Sequence, residues 1–377
     1  MLSIFKNAEQ YADRVALRDK TGSYTYKDIV KASNRTASSL VGNDSDLKEQ
    51  RIGFLIPPSF EYVSILWGIW KAGGIGIPLS LSATELELTH YLEDSKISLL
   101  ISDKEGSETL KKLSIDLKIP LITTDELQNN EDVSLPEIGV ERRAMILYTS
   151  GTTNKPKGVV STHGNIEAQI SSLVKAWEWK ESDQIPLILP LHHIHGIINS
   201  LSCPLWIGAK VDILGAFEVK KVVRAVCENS YTVFTAVPTI YFSLIDKLES
   251  MNKKELDLKK EKFKAMRLMM SGSAALAPEI HKKWSELTGQ ALLERYGMTE
   301  MGMALSNPLN GEKRPGSVGQ ALPKVEICLM EENKVITEEN IPGEIMIKGP
   351  GFFLEYGIKK ELPKTLSLKD GLRLGCG

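Results

Sequence analysis

The sequence contains few cysteines. Cys203, Cys227, Cys328 and Cys376 are the four among 377 residues, and they lie far apart with no Cys-x-x-Cys spacing. Such spacing argues against a fold stabilised by disulfide bonds and against a cysteine-based zinc site. We therefore expect the chain to reside in a reducing compartment.

The sequence also lacks an excess of one charge and any long apolar run. Its 46 Lys and Arg residues nearly balance 48 Asp and Glu residues, so no global field would attract nucleic acid or an anionic membrane. The longest apolar runs, 63–70 and 201–207, are shorter than the roughly 20 residues that span a bilayer. We predict no nucleic-acid partner and no membrane span, so that binding depends on local sites for small molecules.

Short β-rich runs alternate with helical stretches along most of the chain, and this alternation predicts a parallel sheet flanked by helices. From about Lys324 the pattern changes to short strands with tight turns. We therefore predict an α/β fold with two α/β lobes plus a small β-rich subdomain. The predicted strand and helix pairs are 51–56 with 60–71, 97–101 with 105–113, 185–189 with 196–205, and 211–214 with 219–228, and the late strands are 325–330 and 343–348.

The segment Tyr148-Thr-Ser-Gly-Thr-Thr-Asn-Lys-Pro-Lys-Gly158 joins an apolar strand to a helix-like run that starts at Asn165. Its small hydroxyl residues and glycines leave N–H and O–H groups free to surround phosphate oxygens, and two lysines add positive charge. The Walker A pattern is absent, and Pro156 prevents a helix from starting there. Taken alone, the segment predicts either a phosphate-binding loop or a Ser/Thr-rich turn.

Three further motifs follow in order: Pro190-Leu-His-His-Ile-His-Gly196, Ser271-Gly-Ser-Ala-Ala275 and Tyr296-Gly-Met-Thr-Glu300. Together with the loop they resemble the adenylate-forming superfamily, which includes acyl-CoA synthetases, luciferases and peptide-synthetase adenylation domains. The similarity departs at Asn154, where the family usually has glycine, but Asn tolerates a left-handed conformation. The resemblance implies that residues 1–356 form the large N-terminal, AMP-binding domain of that fold.

The resemblance also implies ATP, Mg²⁺ and CoA as cofactor and cosubstrates. The first half-reaction of the family joins a carboxylate to the α-phosphate of ATP. Thr299 is expected to hydrogen-bond the α-phosphate, Glu300 to ligate Mg²⁺ through a hard oxygen, and Tyr296 to stack on adenine. The loops expected to hold the nucleotide contribute Thr149, Ser150, Gly151, Thr152, Thr153, Lys157, Ser271, Gly272, Ser273 and Ala274.

Three histidines lie close together at His192, His193 and His195. Such a cluster can indicate a metal, but a zinc site would need a fourth ligand, and Cys203 lies on an apolar run. The family resemblance instead implies that His193 lines the acyl site beside the α-phosphate. His192 and His195 are expected to be packing or supporting groups.

Arg295 directly precedes the tyrosine of the Tyr-Gly-Met-Thr-Glu motif, where most acyl-CoA synthetases have glycine. An arginine there would block a long alkyl chain. Its planar, charged guanidinium could bind the second carboxylate of a short diacid. The alternative is a salt bridge between Arg295 and Glu294. Two segments, Leu292 to Glu300 and Arg314-Pro-Gly-Ser-Val-Gly319, resemble the sequences of malonyl-CoA and methylmalonyl-CoA synthetases. This resemblance implies malonate or methylmalonate as the acid.

The segment 357–377 does not resemble the family, which continues with a small mobile domain that completes the reaction. We expect this segment to be an aberrant tail, produced by a frameshift or alternative splicing, and the chain as given to have little acyl-CoA synthetase activity. The function that the resemblance implies for the full-length form is an ATP-dependent acid–CoA ligase acting on malonate or methylmalonate. The alternatives are a catalytically impaired, truncated nucleotide-binding isoform, or a ligase for another short or aromatic carboxylic acid. The resemblance implies a mitochondrial location, whereas residues 1–13 lack transit-peptide character and leave a cytoplasmic one open.

Overall fold

A computed structural model describes residues 2–128, 134–149, 155–331, 334–338 and 341–357, together with the backbone of 366–368. The helices are α1 (Ser3–Gln10), α2 (Tyr26–Val41), α3 (Phe60–Lys71), α4 (Glu85–Asp94), α5 (Glu108–Asp116), α6 (His163–Ala176), α7 (Cys203–Trp206), α8 (Val219–Glu228), α9 (Pro238–Glu249), α10 (Lys253–Lys264) and α11 (Pro278–Thr288). A 3₁₀ helix covers Thr124–Gln128 and a π-helix covers His195–Ser202.

The strands complete the secondary structure. They are β1 (Val15–Arg18), β2 (Ser23–Thr25), β3 (Arg51–Leu55), β4 (Ile75–Pro78), β5 (Leu99–Ser102), β6 (Leu121–Thr123), β7 (Arg143–Thr149), β8 (Lys157–Thr162), β9 (Gln184–Leu187), β10 (Lys210–Ile213), β11 (Val233–Ala236), β12 (Leu268–Ser271), β13 (Leu293–Met298), β14 (Gly302–Ser306), β15 (Gln320–Ala321), β16 (Glu326–Glu331), β17 (Lys334–Ile336), β18 (Glu344–Lys348), β19 (Glu355–Tyr356) and β20 (Leu366–Leu368).

The chain divides into two compact units, and the first comprises Met1–Glu167, Pro190–Ile198 and Phe353–Leu362. Its centre is a seven-stranded sheet in the order β19-β8-β7-β4-β3-β5-β6. Strands β3 to β7 are parallel, whereas β8 and β19 are antiparallel to their neighbours at one edge. Helix α3 is buried along its whole length after the first turn, and the indole N–H of Trp70 donates to the carbonyl of Ala144 at 2.8 Å. This bond fixes α3 against the strand that leads into the predicted phosphate-binding segment.

The second unit comprises Ala168–Leu189, Asn199–Phe352 and Pro363–Gly377. Its five-stranded sheet has the order β11-β12-β13-β14-β15, in which β11 to β13 are parallel and β14 and β15 run antiparallel. A separate antiparallel sheet has the order β17-β16-β18-β20. The predicted α/β architecture with a β-rich part after Lys324 is therefore confirmed.

Local signals determine where several helices begin. Helices α2 and α4 each start with a capping box, because the Thr25 and Thr84 side chains accept from the backbone N–H of Asp28 and Glu87, whose carboxylates bond back. The predicted helices 60–71 and 219–228 match α3 and α8. The helix predicted at 105–113 begins later, at Glu108, because Ser107 caps it.

The helix predicted at 196–205 differs in type from the one in the structure. Residues His195–Ser202 form a π-helix, and an α-helical turn, Cys203–Trp206, follows it. Hydrophobic periodicity predicts a helix here but cannot distinguish the wider π hydrogen-bond pattern, which often accompanies functional sites. Among the described residues, no helix combines the length and the apolar character that crossing a bilayer requires.

Close packing of α2 against α3 leads to a first prediction. A Cβ at Gly68 would lie 2.4 Å from Cγ2 of Thr36 and 2.5 Å from its Cβ. The Gly68→Ala variant should therefore lower the free energy of unfolding by about 1–3 kcal/mol through overpacking. Urea denaturation followed by circular dichroism would measure it.

The matched control is Gly22→Ala, because a Cβ at Gly22 would meet its nearest atoms, in Tyr24, at an ordinary 3.7 Å. This control should unfold within error of the unmodified protein. Identical denaturation midpoints for Gly68→Ala and the unmodified protein would contradict the close approach of the two helices.

Candidate active site

The predicted phosphate-binding segment connects two antiparallel strands of the first unit. Thr149 ends β7, Lys157 begins β8, and the two residues pair across the strands. The buried hydroxyl oxygen of Thr149 has no hydrogen-bond partner among the residues that the structure describes. Lys157 is exposed, and its Nζ lies 5.3 Å from the centroid of the Tyr356 ring. The predicted site residues Ser150, Gly151, Thr152 and Thr153 lie outside the described residues.

The three clustered histidines, which belong to the first unit, differ in exposure. His193 is exposed, His192 is half-buried, and His195 is buried at the start of the π-helix. Desolvation lowers the pKa of His193, and desolvation together with the neighbouring His193 lowers the pKa of His192 to about 4. Both imidazoles are therefore neutral near pH 7. A neutral His193 can accept or donate a hydrogen bond near a substrate without adding charge.

The Ser271-Gly-Ser-Ala loop of the second unit leaves the end of β12. Ser271 is buried, and its hydroxyl has no partner in the described part of the chain. Ser273 and Ala274 are exposed, and Ser273 has a left-handed backbone with φ of 69°. Residues other than glycine rarely take this conformation, and such positions cluster at ligand-binding loops.

Arg295 lies on β13 and its side chain is 3% exposed. Two of its guanidinium nitrogens, Nε and Nη2, are buried without a hydrogen-bond partner in the described residues. Desolvation lowers the pKa of Arg295 to about 9, which expresses the cost of holding this charge away from water. The site therefore holds a buried cation with two donors that remain to be satisfied.

Gly272 provides the space that the Arg295 guanidinium occupies. A Cβ at Gly272 would lie 2.3 Å from Nη1 and 2.5 Å from Cζ of Arg295. Any side chain at position 272 would therefore displace the guanidinium. The structure thus brings together two predicted site residues that lie 23 positions apart in the sequence.

Glu294 points away from its neighbour Arg295, because successive side chains on a strand alternate between the two faces of a sheet. Its Oε1 accepts from the backbone N–H of Gly316 at 2.8 Å. Desolvation, opposed in part by this bond, raises the pKa of Glu294 to about 7. An ion pair between Glu294 and Arg295 is not formed in the described part of the chain. Glu294 anchors the 314–316 turn instead.

The β13–β14 hairpin carries the remaining predicted site residues. Met298 pairs with Gly302, so that Thr299, Glu300 and Met301 form the turn, which the Met301 N–H closes on the Met298 carbonyl at 3.2 Å. Gly302 has φ of +69°, as expected for the left-handed residue that follows a three-residue hairpin turn. Tyr296 and Thr299 are half-buried, whereas Glu300 is 6% exposed.

Two buried side-chain amides were not among the residues predicted from the sequence. Asn199, on the π-helix, has neither its Nδ2 nor its Oδ1 bonded among the described residues, and Gln169 of α6 has an unbonded Oε1. Buried polar groups are almost always satisfied, so each unpaired one calls for an explanation. Nothing local in the sequence distinguishes these amides from exposed ones.

Comparison with known proteins gives the family. The family described as "AMP-binding enzyme" matches residues 4–357. The mitochondrial malonate–CoA ligase ACSF3 of Xenopus laevis is 37% identical over 411 residues, covering 98% of this chain and 71% of that ligase. A malonate–CoA ligase of Arabidopsis thaliana is 38% identical over 403 residues, covering 97% of this chain and 66% of that protein.

A solved structure agrees with these relatives. The crystal structure of ATP-bound MatB from Rhodopseudomonas palustris has a TM-score of 0.84 and 29% sequence identity, over 95% of this chain and 72% of MatB. The fold predicted from the four motifs is thereby confirmed. Because the family match covers residues 4–357 and the relatives are 37% and 38% identical to this chain, the chain belongs to the AMP-binding enzyme family.

Proposed function

We propose that this chain carries the adenylating site of an ATP-dependent acid–CoA ligase whose acid is malonate or methylmalonate. The observation that carries the proposal is the buried Arg295, whose Nε and Nη2 have no partner among the described residues. Relatives named malonate–CoA ligase at 37% and 38% identity support the same substrate. The names of the ACSF3 relatives support a mitochondrial location.

The preference for a diacid follows from the chemistry of a buried guanidinium. Arginine keeps its charge at any physiological pH, and a buried charge without a partner is strongly destabilising. A carboxylate at the far end of the substrate would satisfy both free donors through a bidentate pair. A monoacid would leave them unsatisfied, so the site should discriminate by charge as well as by length.

In the proposed reaction, a carboxylate oxygen of the acid attacks the α-phosphorus of ATP. The bond between the α-phosphorus and the bridging oxygen breaks, and pyrophosphate leaves with that electron pair. Thr299 donates to the α-phosphate, and Thr149, Ser150, Thr152, Thr153 and Lys157 hold the β- and γ-phosphates. The thiol of CoA then attacks the acyl carbon, loses its proton, and displaces AMP.

The other predicted residues orient the two substrates. The backbone of Ser271, Gly272, Ser273 and Ala274 forms the nucleotide side of the site, with Gly151 in the phosphate loop and Tyr296 stacked on adenine. The neutral His193 lines the acyl site beside the α-phosphate. Because desolvation lowers its pKa, His193 is neutral near pH 7 and adds no positive charge to the acyl site.

Glu300 is the residue that we assign to Mg²⁺. It is a buried carboxylate, and no group of three or more His, Cys, Asp or Glu residues is close enough to form a metal cage within the described ranges. One protein carboxylate combined with phosphate oxygens and water is the usual binding mode of Mg²⁺ with nucleotides, so the donor set fits. The ion would neutralise charge on the phosphates as pyrophosphate leaves.

The substrate assignment predicts the behaviour of Arg295→Gly. The variant should bind malonate about 100- to 1,000-fold more weakly than the unmodified chain, because it removes the partner of a buried carboxylate. Butyrate, which has no second carboxylate, should bind equally well or better. Isothermal titration of each acid into protein saturated with Mg²⁺ and a non-hydrolysable ATP analogue would measure both affinities.

Arg224→Ala serves as the control for this test, since Arg224 is an exposed arginine of α8. It should leave both affinities unchanged. Unaltered malonate binding in Arg295→Gly would refute the diacid assignment, and weakened binding of malonate and butyrate alike would indicate a structural role for Arg295.

The metal assignment predicts that Glu300→Gln needs about tenfold more Mg²⁺ for half-maximal binding of an ATP analogue, because a neutral amide is a poorer ligand for a hard cation. Binding of metal-free nucleotide should stay equal or improve slightly, since one negative charge is removed. A magnesium titration with a fluorescent ATP analogue would measure this. The exposed Glu286→Gln serves as the control, and equal magnesium requirements for both variants would remove Glu300 from the metal site.

A further inference from the structure

Gln169 of helix α6 is a buried amide that contacts two turns within the second unit. Its side chain is 5% exposed, and its Nε2 donates to the carbonyl of Gly351 at 2.8 Å. Its Oε1 is buried and has no partner among the described residues. Within the described part of the chain, this amide makes one of the four hydrogen bonds open to it, and so unsatisfied a buried group calls for an explanation.

Two glycines make room for the Gln169 side chain. A Cβ at Gly302 would lie 2.3 Å from Cδ and 2.5 Å from Oε1 of Gln169, and a Cβ at Gly351 would lie 2.9 Å from its Cγ. The planar amide of Gln169 therefore lies between the backbone of Gly302 and the backbone of Gly351. Such close approach permits little movement of the side chain without movement of one glycine.

One of these glycines ends the turn that carries Thr299 and Glu300. Gly302 follows Met301 and pairs with Met298 across the hairpin. A Cβ at Gly351 would also lie 3.6 Å from the Met301 carbonyl oxygen, so the 349–351 turn lies against the same hairpin turn. Gln169 thus connects a long helix to both turns at once.

We propose that Gln169 is a positioning residue for Thr299 and Glu300. The amide fixes the Gly302 end of the hairpin turn against α6 and, through its bond to Gly351, against the neighbouring turn. Groups that ligate a metal or a phosphate must be held within about 0.5 Å of their working positions. The inference rests on the roles proposed above for Thr299 and Glu300, and it assigns their orientation to a residue about 130 positions earlier in the chain.

The test is Gln169→Met, which keeps the unbranched shape and removes the donor. We expect it to need about tenfold more Mg²⁺ for half-maximal binding of a fluorescent ATP analogue, with the affinity for metal-free nucleotide changed less than about twofold. A residue that served stability alone would shift the unfolding midpoint and leave the magnesium requirement unchanged. The magnesium titration is therefore the deciding measurement.

Ser172→Ala is the matched control. Ser172 also lies on α6, and its hydroxyl donates to the carbonyl of Pro323 at 3.1 Å, so the variant removes a comparable bond from the same helix. It should leave the magnesium requirement unchanged. If circular dichroism shows that Gln169→Met is unfolded, Gly351→Ala decides, because its methyl displaces Gln169 from the opposite side and should raise the magnesium requirement in the same way.

The outcomes separate this inference from the proposed function. Magnesium-dependent nucleotide binding that is equal in Gln169→Met and the unmodified chain overturns the positioning role and leaves the ligase proposal standing. An unmodified chain that shows no magnesium-dependent binding overturns both. A magnesium requirement raised in Gln169→Met and normal in Ser172→Ala supports the inference.

Discussion

The positive charge of Arg295 is the constraint on which the proposed substrate site depends. A guanidinium cannot lose its proton under physiological conditions, so burial leaves it dependent on a counter-charge. Its Nε and Nη2 have no partner among the described residues, and Gly272 leaves the space in which it lies. The selectivity proposed for this chain is therefore a selectivity for charge, supplied by the second carboxylate of a short acid.

The geometry of strand β13 keeps this charge available. Glu294 and Arg295 are adjacent in the sequence and would neutralise each other if their side chains met. Alternation along the strand places them on opposite faces, and Glu294 bonds to the Gly316 N–H instead. Two neighbouring residues thus take separate roles, one in anchoring a turn and one in the proposed recognition of the acid.

The β13–β14 hairpin carries proposed nucleotide contacts as well as Arg295. Arg295 and Tyr296 lie on β13, and Thr299 and Glu300 lie in the turn three residues later. The proposed acid and phosphate contacts therefore lie on one hairpin. Gln169 and Gly351 pack against the Gly302 end of this turn.

The sequence alone determined the α/β architecture, the order of the four motifs and the positions of helices such as α3, because periodicity, capping and motif text are local properties. It also predicted Arg295 as the residue that selects the acid, through resemblance. It placed the start of α5 too early, since the cap at Ser107 outweighed the apolar pattern, and it gave no sign of the π-helix.

The tertiary structure decided which polar groups are buried without partners. Gln169 reaches Gly351 across 182 residues, and Gly272, which directly follows β12, meets Arg295 of the paired strand β13. Burial and pairing depend on atoms that are brought together by folding from distant parts of the chain, and no local pattern encodes them. The sequence therefore determined which chemical groups are present, whereas tertiary packing decided which of them are left unsatisfied.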